Sequence, residues 1–273
     1  MIGAAARRRA RPDAGRKRRR IPTAAVPSFF TLLNLFAGFL AIVQVHEGRF
    51  VSACWLVVLA GVFDLFDGMM ARLTRSQSAF GVELDSLADV VSFGIVPSYL
   101  VYVFGLSEQG ALGVLVAALP ALCGAVRLAR FNVLFTGEKS STFSGLPIPM
   151  QAATVVALVL NVERHDFQLY SPGGLNLLVP TVVVLAGLMV STIPFDSGPR
   201  PSAFYVRAHP WRSLFYVVCL LLVIVFQEVG LLIALASYLA IGIGEAILRF
   251  IRVVRTLPTG PAPPAVGGDD VAP

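Results

Sequence analysis

Charge is scarce in this chain, and so are cysteine and histidine. Lys, Arg, Asp and Glu together make 14% of 273 residues, against 56% hydrophobic residues, with only three cysteines and three histidines. Each scarcity excludes something. Cys54, Cys123 and Cys219 sit alone in separate apolar runs, with no metal-ligand spacing. That argues against a disulfide framework or a thiolate zinc site and makes them small buried apolar residues. His46, His165 and His209 fall at the ends of different segments, so a histidine-based active site has no support. With so little charge and a mean hydropathy of +0.76, the chain is not a soluble domain of this length. No long polar domain and no clear internal repeat interrupts the apolar pattern.

What is present is a series of apolar runs about 20 residues long, the length that crosses a bilayer at ~1.5 Å per residue. They occur at 27–46, 52–71, 87–106, 111–131, 149–162, 175–194, 213–228 and 230–249. The expected fold is all-α, a polytopic membrane bundle of about eight transmembrane helices. Placing both termini in the cytoplasm puts 20 of the 22 Lys and Arg residues on one side, leaving only Arg49 and Arg164 outside. By the positive-inside rule this sets the orientation.

Residues 1–24, with MIGAAARRRARPDAGRKRRR at their start, read as a disordered basic cytoplasmic tail held near anionic head groups. No small-residue cleavage site follows the first apolar run, so a cleavable signal peptide is not expected, and beside so many spans neither is a nucleic-acid partner. Residues 256–273, rich in Pro and Gly, read as a second unstructured tail.

Four aspartates break the apolar pattern: Asp64, Asp67, Asp85 and Asp89. Carboxylates at membrane depth are costly and mark function. On helices, Asp64 shares a face with Asp67, and Asp85 with Asp89. Both the inner and the outer pairing are centred near Ser76, so a helical hairpin turning there sets the four at matching depths. Carboxylates gathered in this way repel one another unless a divalent cation joins them. Oxygen ligands of this kind suit Mg2+ or Mn2+. Gly68, Ala71 and Gly81 leave a surface without bulky side chains beside the acids, and Arg72 adds a fork of donors suited to phosphate.

Asp64, Asp67-Gly68, Ala71-Arg72, Gly81, Asp85 and Asp89 fit D-x2-D-G-x2-A-R-x8-G-x3-D-x3-D without a gap. The chain thereby resembles the CDP-alcohol phosphotransferase family, on eight fixed positions. The competing reading has the acids capping helices or pairing with Arg72 and Arg75. The resemblance covers roughly residues 25–195 and implies a six-helix catalytic core, with 196–255 supplying two additional transmembrane helices. It also implies that CMP is displaced from a CDP-linked donor. Asp64, Asp67 and Asp85 would then be metal ligands and Asp89 the general base, with metal contact as a second role. The same resemblance assigns Asp64, Gly68, Ala71, Arg72, Gly81 and Asn34 to CDP binding.

Outside the signature, SLADVVSFGIVPS, RLARFNV, FSGLPIP and PSFFTLLNLFAGFLAI resemble the family's branch of CDP-diacylglycerol–serine O-phosphatidyltransferases. Asp89 is followed by Val90, where relatives that use a phosphorylated polyol commonly carry Lys or Arg. Pro27-Ser28 departs from the Pro-Asn that often opens the first block. The resemblance implies CDP-diacylglycerol and L-serine as substrates, membrane lipids around the protein, a homodimer, and the cytoplasmic membrane of a prokaryote, with the active site on the cytoplasmic side. Arg127, Arg130 and Asn132 are the candidate serine-binding residues, the arginines for its carboxylate. Against this stands the reading that these arginines only follow the positive-inside rule. Glycerol 3-phosphate or an inositol phosphate remains the alternative acceptor. A cation transporter is the rival from another class, although neither repeated halves nor broken helices at midplane favour it.

Overall fold

A computed structural model of the chain describes residues 25–74, 78–134, 145–165, 178–193, 195 and 210–256, and their regular structure is entirely helical. Helix α1 is Ala25–His46 and α2 is Phe50–Thr74. Helix α3, Ala79–Asp89, runs through a π-helical turn, Val90–Ile95, into α4, Val96–Val101. A second π turn at Tyr102–Leu106 and a 3-10 turn at Ser107–Gln109 lead to α5, Gly110–Leu134. Helices α6, Ile148–His165, and α7, Leu178–Val190, follow. Helix α8 is Pro210–Thr256, with a break at Gln227 (φ 47°, ψ −113°).

Among the described residues four stretches are long and apolar enough to cross a membrane: Ser28–His46, Phe50–Ala71, Ala79–Val133 and Ser213–Arg249. Much of their apolar surface faces outward, as at Phe36, Phe39, Leu115 and Ile224, which suits a hydrocarbon surround. The third helical stretch begins at Ala79, eight residues ahead of the expected 87, because Ser78 caps it: the Ser78 Oγ accepts from the Gly81 backbone N–H at 3.0 Å. The expected tail 1–24, the expected tail 256–273 apart from Thr256, which ends α8, the turn at Ser76 and Arg75, and the Arg72 side chain lie outside the described residues.

Helix α1 packs along α2, α2 on α6, α5 on α7, and α6 on α8, while the first π turn is wedged among α1, α5 and α6. Small residues permit this closeness. Gly94 in the π turn lies beside Ala121, whose Cα would be 3.3 Å from an added Cβ. Pro120 interrupts α5 at this level, and the Ala121 backbone N–H donates to the Ser98 Oγ at 3.1 Å. Gly145, at φ 91°, starts the entry to α6. Its N–H donates to the Ile193 carbonyl at 2.8 Å and that of Leu146 to the Leu188 carbonyl at 2.9 Å, tying α6 to the end of α7.

The break in α8 is pinned from α6. The Asn161 Nδ2 donates to the Ala157 carbonyl at 2.7 Å and the Glu228 carbonyl at 2.8 Å. Arg164 pairs with the buried Glu228 at 2.9 Å. Asn161 and Arg164 thus hold α8 at Glu228, the residue just past the break.

Candidate active site

Helices α2 and α3 bring three carboxylates together. Asp64, Asp67 and Asp85 each offer an oxygen, and the three oxygens lie within 4.8 Å of one another. Asp67 is fixed by α1, whose Thr31 hydroxyl donates to its Oδ2 at 3.0 Å. The Asp85 Oδ1 is buried with no hydrogen-bond partner. Among the described residues no salt bridge to Lys or Arg relieves these acids. Unpaired acids this close need a positive charge between them, and an orphaned buried carboxylate oxygen is a natural ligand atom for a hard divalent cation. The residues present therefore fit such an ion.

Asp89 stands apart from that trio. It is buried at the end of α3, within electrostatic range of the other three acids, and the Asn34 Nδ2 of α1 donates to its Oδ1 at a long 3.5 Å. The Asn34 Oδ1 is buried and unpartnered. The backbone carbonyl of Asn34 accepts from the Ser92 hydroxyl at 3.1 Å, and the next turn of α1 presents Gly38, where an added Cβ would collide with Ser92. One face of α1, Thr31, Asn34 and Gly38, thus runs along the acids and the π turn behind them. That turn starts one residue past Asp89, and its extra residue per turn changes the facing of everything downstream relative to the acids.

The expected nucleotide surface divides in two. An added Cβ at Gly68 meets nothing within 4 Å, so the space there is open. At Gly81 it would meet the Ser78 Oγ at 3.2 Å, so the absence of a side chain already has a local reason in the α3 cap. Ala71 is half-buried on α2.

The expected acceptor residues on α5 divide too. Arg127 interacts electrostatically with Asp89, Arg130 and Tyr238, and its Nε is buried without a hydrogen bond. Arg130 reaches the Val190 carbonyl at 3.5 Å. Asn132 points its Nδ2 at the Ser86 Oγ, 3.0 Å away, joining α5 to the residue after Asp85. Thr31, Ser78, Ser92 and Tyr238 are site neighbours that sequence reasoning missed. Of these only Ser78 carried a signal, a serine placed three residues before a glycine at a helix start.

An apolar cleft of 520 Å³ between α2, α6 and α8 reaches Asp64. Gly61 and Phe93 line it near the acids, and the start of α6 lies at the same level, since the Ile148 side chain approaches Gly94.

A family model described as CDP-alcohol phosphatidyltransferase matches residues 24–193. A CDP-diacylglycerol–serine O-phosphatidyltransferase of Helicobacter pylori strain J99 is 36% identical over 236 residues, which cover 85% of this chain and 95% of that protein. One of the same name from Bacillus subtilis strain 168 is 35% identical over 188 residues, covering 68% and 98%. An archaetidylserine synthase of Methanothermobacter thermautotrophicus is 41% identical over 138 residues, covering 50% and 58%.

Proposed function

Because the chain belongs to the CDP-alcohol phosphatidyltransferase family, we propose that it transfers the phosphatidyl group of CDP-diacylglycerol to L-serine, giving phosphatidylserine and CMP. The observation that carries this reading is the separation of three clustered carboxylates from a fourth that lies within electrostatic range of an arginine. Asp64, Asp67 and Asp85 hold Mg2+ or Mn2+. The bound ion would neutralise the charge that grows on the departing phosphate.

The remaining steps belong to the chain's own groups. Asp89, oriented by Asn34, takes the proton of the serine hydroxyl as its oxygen bonds to the lipid-bearing phosphorus; the bond to the CMP oxygen breaks and CMP leaves. Arg127 meets the serine carboxylate and brings the hydroxyl toward Asp89. Ala71 and the open face at Gly68 border the cytidine, with Arg72 and Gly81 completing that side. Asn132 acts by holding Ser86 and α3 in place, and Arg130 lies at the edge of the acceptor site. The cleft that reaches Asp64 takes the apolar part of the donor.

The wider expectations belong to the same reading. The breaks at Gly110 (φ 56°) and Gln227 divide the two longest apolar stretches and support eight crossings. The six-helix core then spans 25–195, with both termini and the active site on the cytoplasmic side of a prokaryotic membrane and the protein a homodimer.

The test is CMP release by the purified protein from CDP-diacylglycerol, with and without divalent metal, across serine, glycerol 3-phosphate, inositol phosphate and choline. Metal-dependent release with serine alone, with phosphatidylserine formed in equal amount, is the expected result. Release with glycerol 3-phosphate instead would keep the family chemistry and overturn the acceptor.

A further inference from the structure

The cleft beside Asp64 has a far end, and a helix outside the matched family region builds it. Along α6 the cleft is lined from Pro147 to Leu160, roughly 20 Å at ~1.5 Å per residue. Its near end lies at the level of Gly61, Phe93 and Asp64. At the other end stand Leu160 and four residues of α8: Val223, Gln227, Glu228 and Leu231. These four bracket the break. Asn161, the residue after Leu160, holds the Glu228 carbonyl, and Arg164, one turn on, holds the Glu228 carboxylate. An added Cβ at Gly230 would collide with the Leu222 carbonyl, so the chain folds back tightly there.

We infer that the pinned break of α8 is the end wall of the donor's acyl cleft, so that Val223, Gln227 and their neighbours set the acyl-chain length the enzyme accepts. The occupant is the acyl chain of a CDP-linked lipid, because the cleft is apolar along its length and reaches Asp64, one of the carboxylates proposed to hold the ion that neutralises the departing phosphate. This rests on the donor assignment above, and not on serine as acceptor. An unpinned helix would yield to a longer chain. Here the wall is tied to α6 by two hydrogen-bonding side chains, and bending it away would strand the buried Glu228 charge, so it discriminates by size.

The purified full-length protein would be assayed with dioctanoyl, dilauroyl and dipalmitoyl CDP-diacylglycerol. Val223→Trp fills the end of the cleft and should lower the dipalmitoyl-to-dioctanoyl ratio of kcat/KM about tenfold, the scale at which a hydrophobic pocket discriminates methylene groups. Trp55→Ala, which removes a large lining residue from α2, should raise that ratio. A binding readout that needs no turnover accompanies it. With Trp211→Phe leaving Trp55 as the sole tryptophan, CDP-diacylglycerol brominated near the chain ends should quench Trp55 more than donor brominated near the glycerol. Unlabelled CDP-diacylglycerol should reverse the quenching. Position-dependent, reversible quenching together with the two opposite ratio shifts supports the end wall. Quenching indifferent to bromine position, or a ratio unchanged in both variants, overturns it. A wrong acceptor shows itself separately, as quenching that persists while serine yields no CMP.

Discussion

The Thr31 hydroxyl on α1 donates to the Oδ2 of Asp67 on α2 at 3.0 Å, a buried bond between residues 36 apart in sequence. It fixes the rotation of one proposed metal ligand from a helix that supplies none itself. Partners of this kind tune a site through its ligands, and losing one typically costs about 10–100-fold in metal affinity. Thr31→Val, close in shape but without the hydroxyl, should weaken Mn2+ binding by that factor, and Thr31→Ser should restore it. Metal titration of the purified variants would show this; equal affinity in all three would leave Thr31 a packing residue only.

The clustered trio predicts a shared phenotype. Asp64→Asn, Asp67→Asn and Asp85→Asn each remove a charged oxygen from the group within 4.8 Å. Each should cost on the order of a thousandfold in transfer, several kcal/mol of transition-state stabilisation, and abolish metal-dependent donor binding. Near-normal turnover in any two would refute the metal assignment.

Asp89 should behave otherwise, because it lies outside the trio and beside Asn34. A general base matters chiefly in the transition state, so Asp89→Asn should keep CDP-diacylglycerol affinity within a few-fold while turnover is lost. Equilibrium donor binding measured beside single-turnover rates separates the two. Collapse of donor binding to the level of Asp64→Asn would make Asp89 a fourth ligand.

Much of this site was legible because its decisive residues are chemically incongruous where they stand. Asp64, Asp67, Asp85 and Asp89 are acids in apolar helices, and helical spacing alone put the members of each pair on one face. The split into three and one is implied by the family resemblance and not by spacing, which treats the four acids alike, and how α1 lies against α3 depends on contacts between residues far apart in sequence. Thr31 and Ser92 were missed for a related reason. A hydroxyl in an apolar helix usually satisfies itself on the preceding turn, as Thr154 and Ser237 do here, and nothing local reveals a partner 36 or 58 residues away. Asn132 looked like a ligand group because it follows two arginines; its bond to Ser86 depends on the approach of α5 to α3. The break at Gln227 falls inside the expected run 213–228 and not at its end, and nothing local reveals it, since its anchors, Asn161 and Arg164, belong to another helix.

Gly68 and Gly81 share one motif but should separate under substitution. Gly68→Leu faces open space within a helix, where glycine is unfavourable by roughly 1 kcal/mol relative to alanine, so stability should hold or rise while CDP affinity falls. Gly81→Leu meets the Ser78 cap, and losing that cap should cost about 1 kcal/mol through the start of α3. Thermal unfolding in parallel with CDP binding checks both, and unaltered CDP affinity in Gly68→Leu would remove the nucleotide from that face.

The two arginines of α5 give the sharpest test of the acceptor. Arg127 interacts electrostatically with Asp89, whereas Arg130 reaches toward the end of α7, where the Val190 carbonyl accepts from its Nη1. Serine bound for attack must present its hydroxyl to Asp89, and its carboxylate, three bonds from the hydroxyl oxygen, then falls to the arginine that interacts with that acid. Arg127→Lys keeps the charge and loses the two-pronged fork, so the serine KM should rise about tenfold while the donor KM stays near normal. Arg130→Lys should change the serine KM by less than about threefold, because the contact it loses is to backbone and not to substrate. Steady-state kinetics with serine varied at saturating CDP-diacylglycerol decides between them. A larger effect at Arg130 would move the carboxylate site one turn toward α7, and no effect at either would return both arginines to membrane topology.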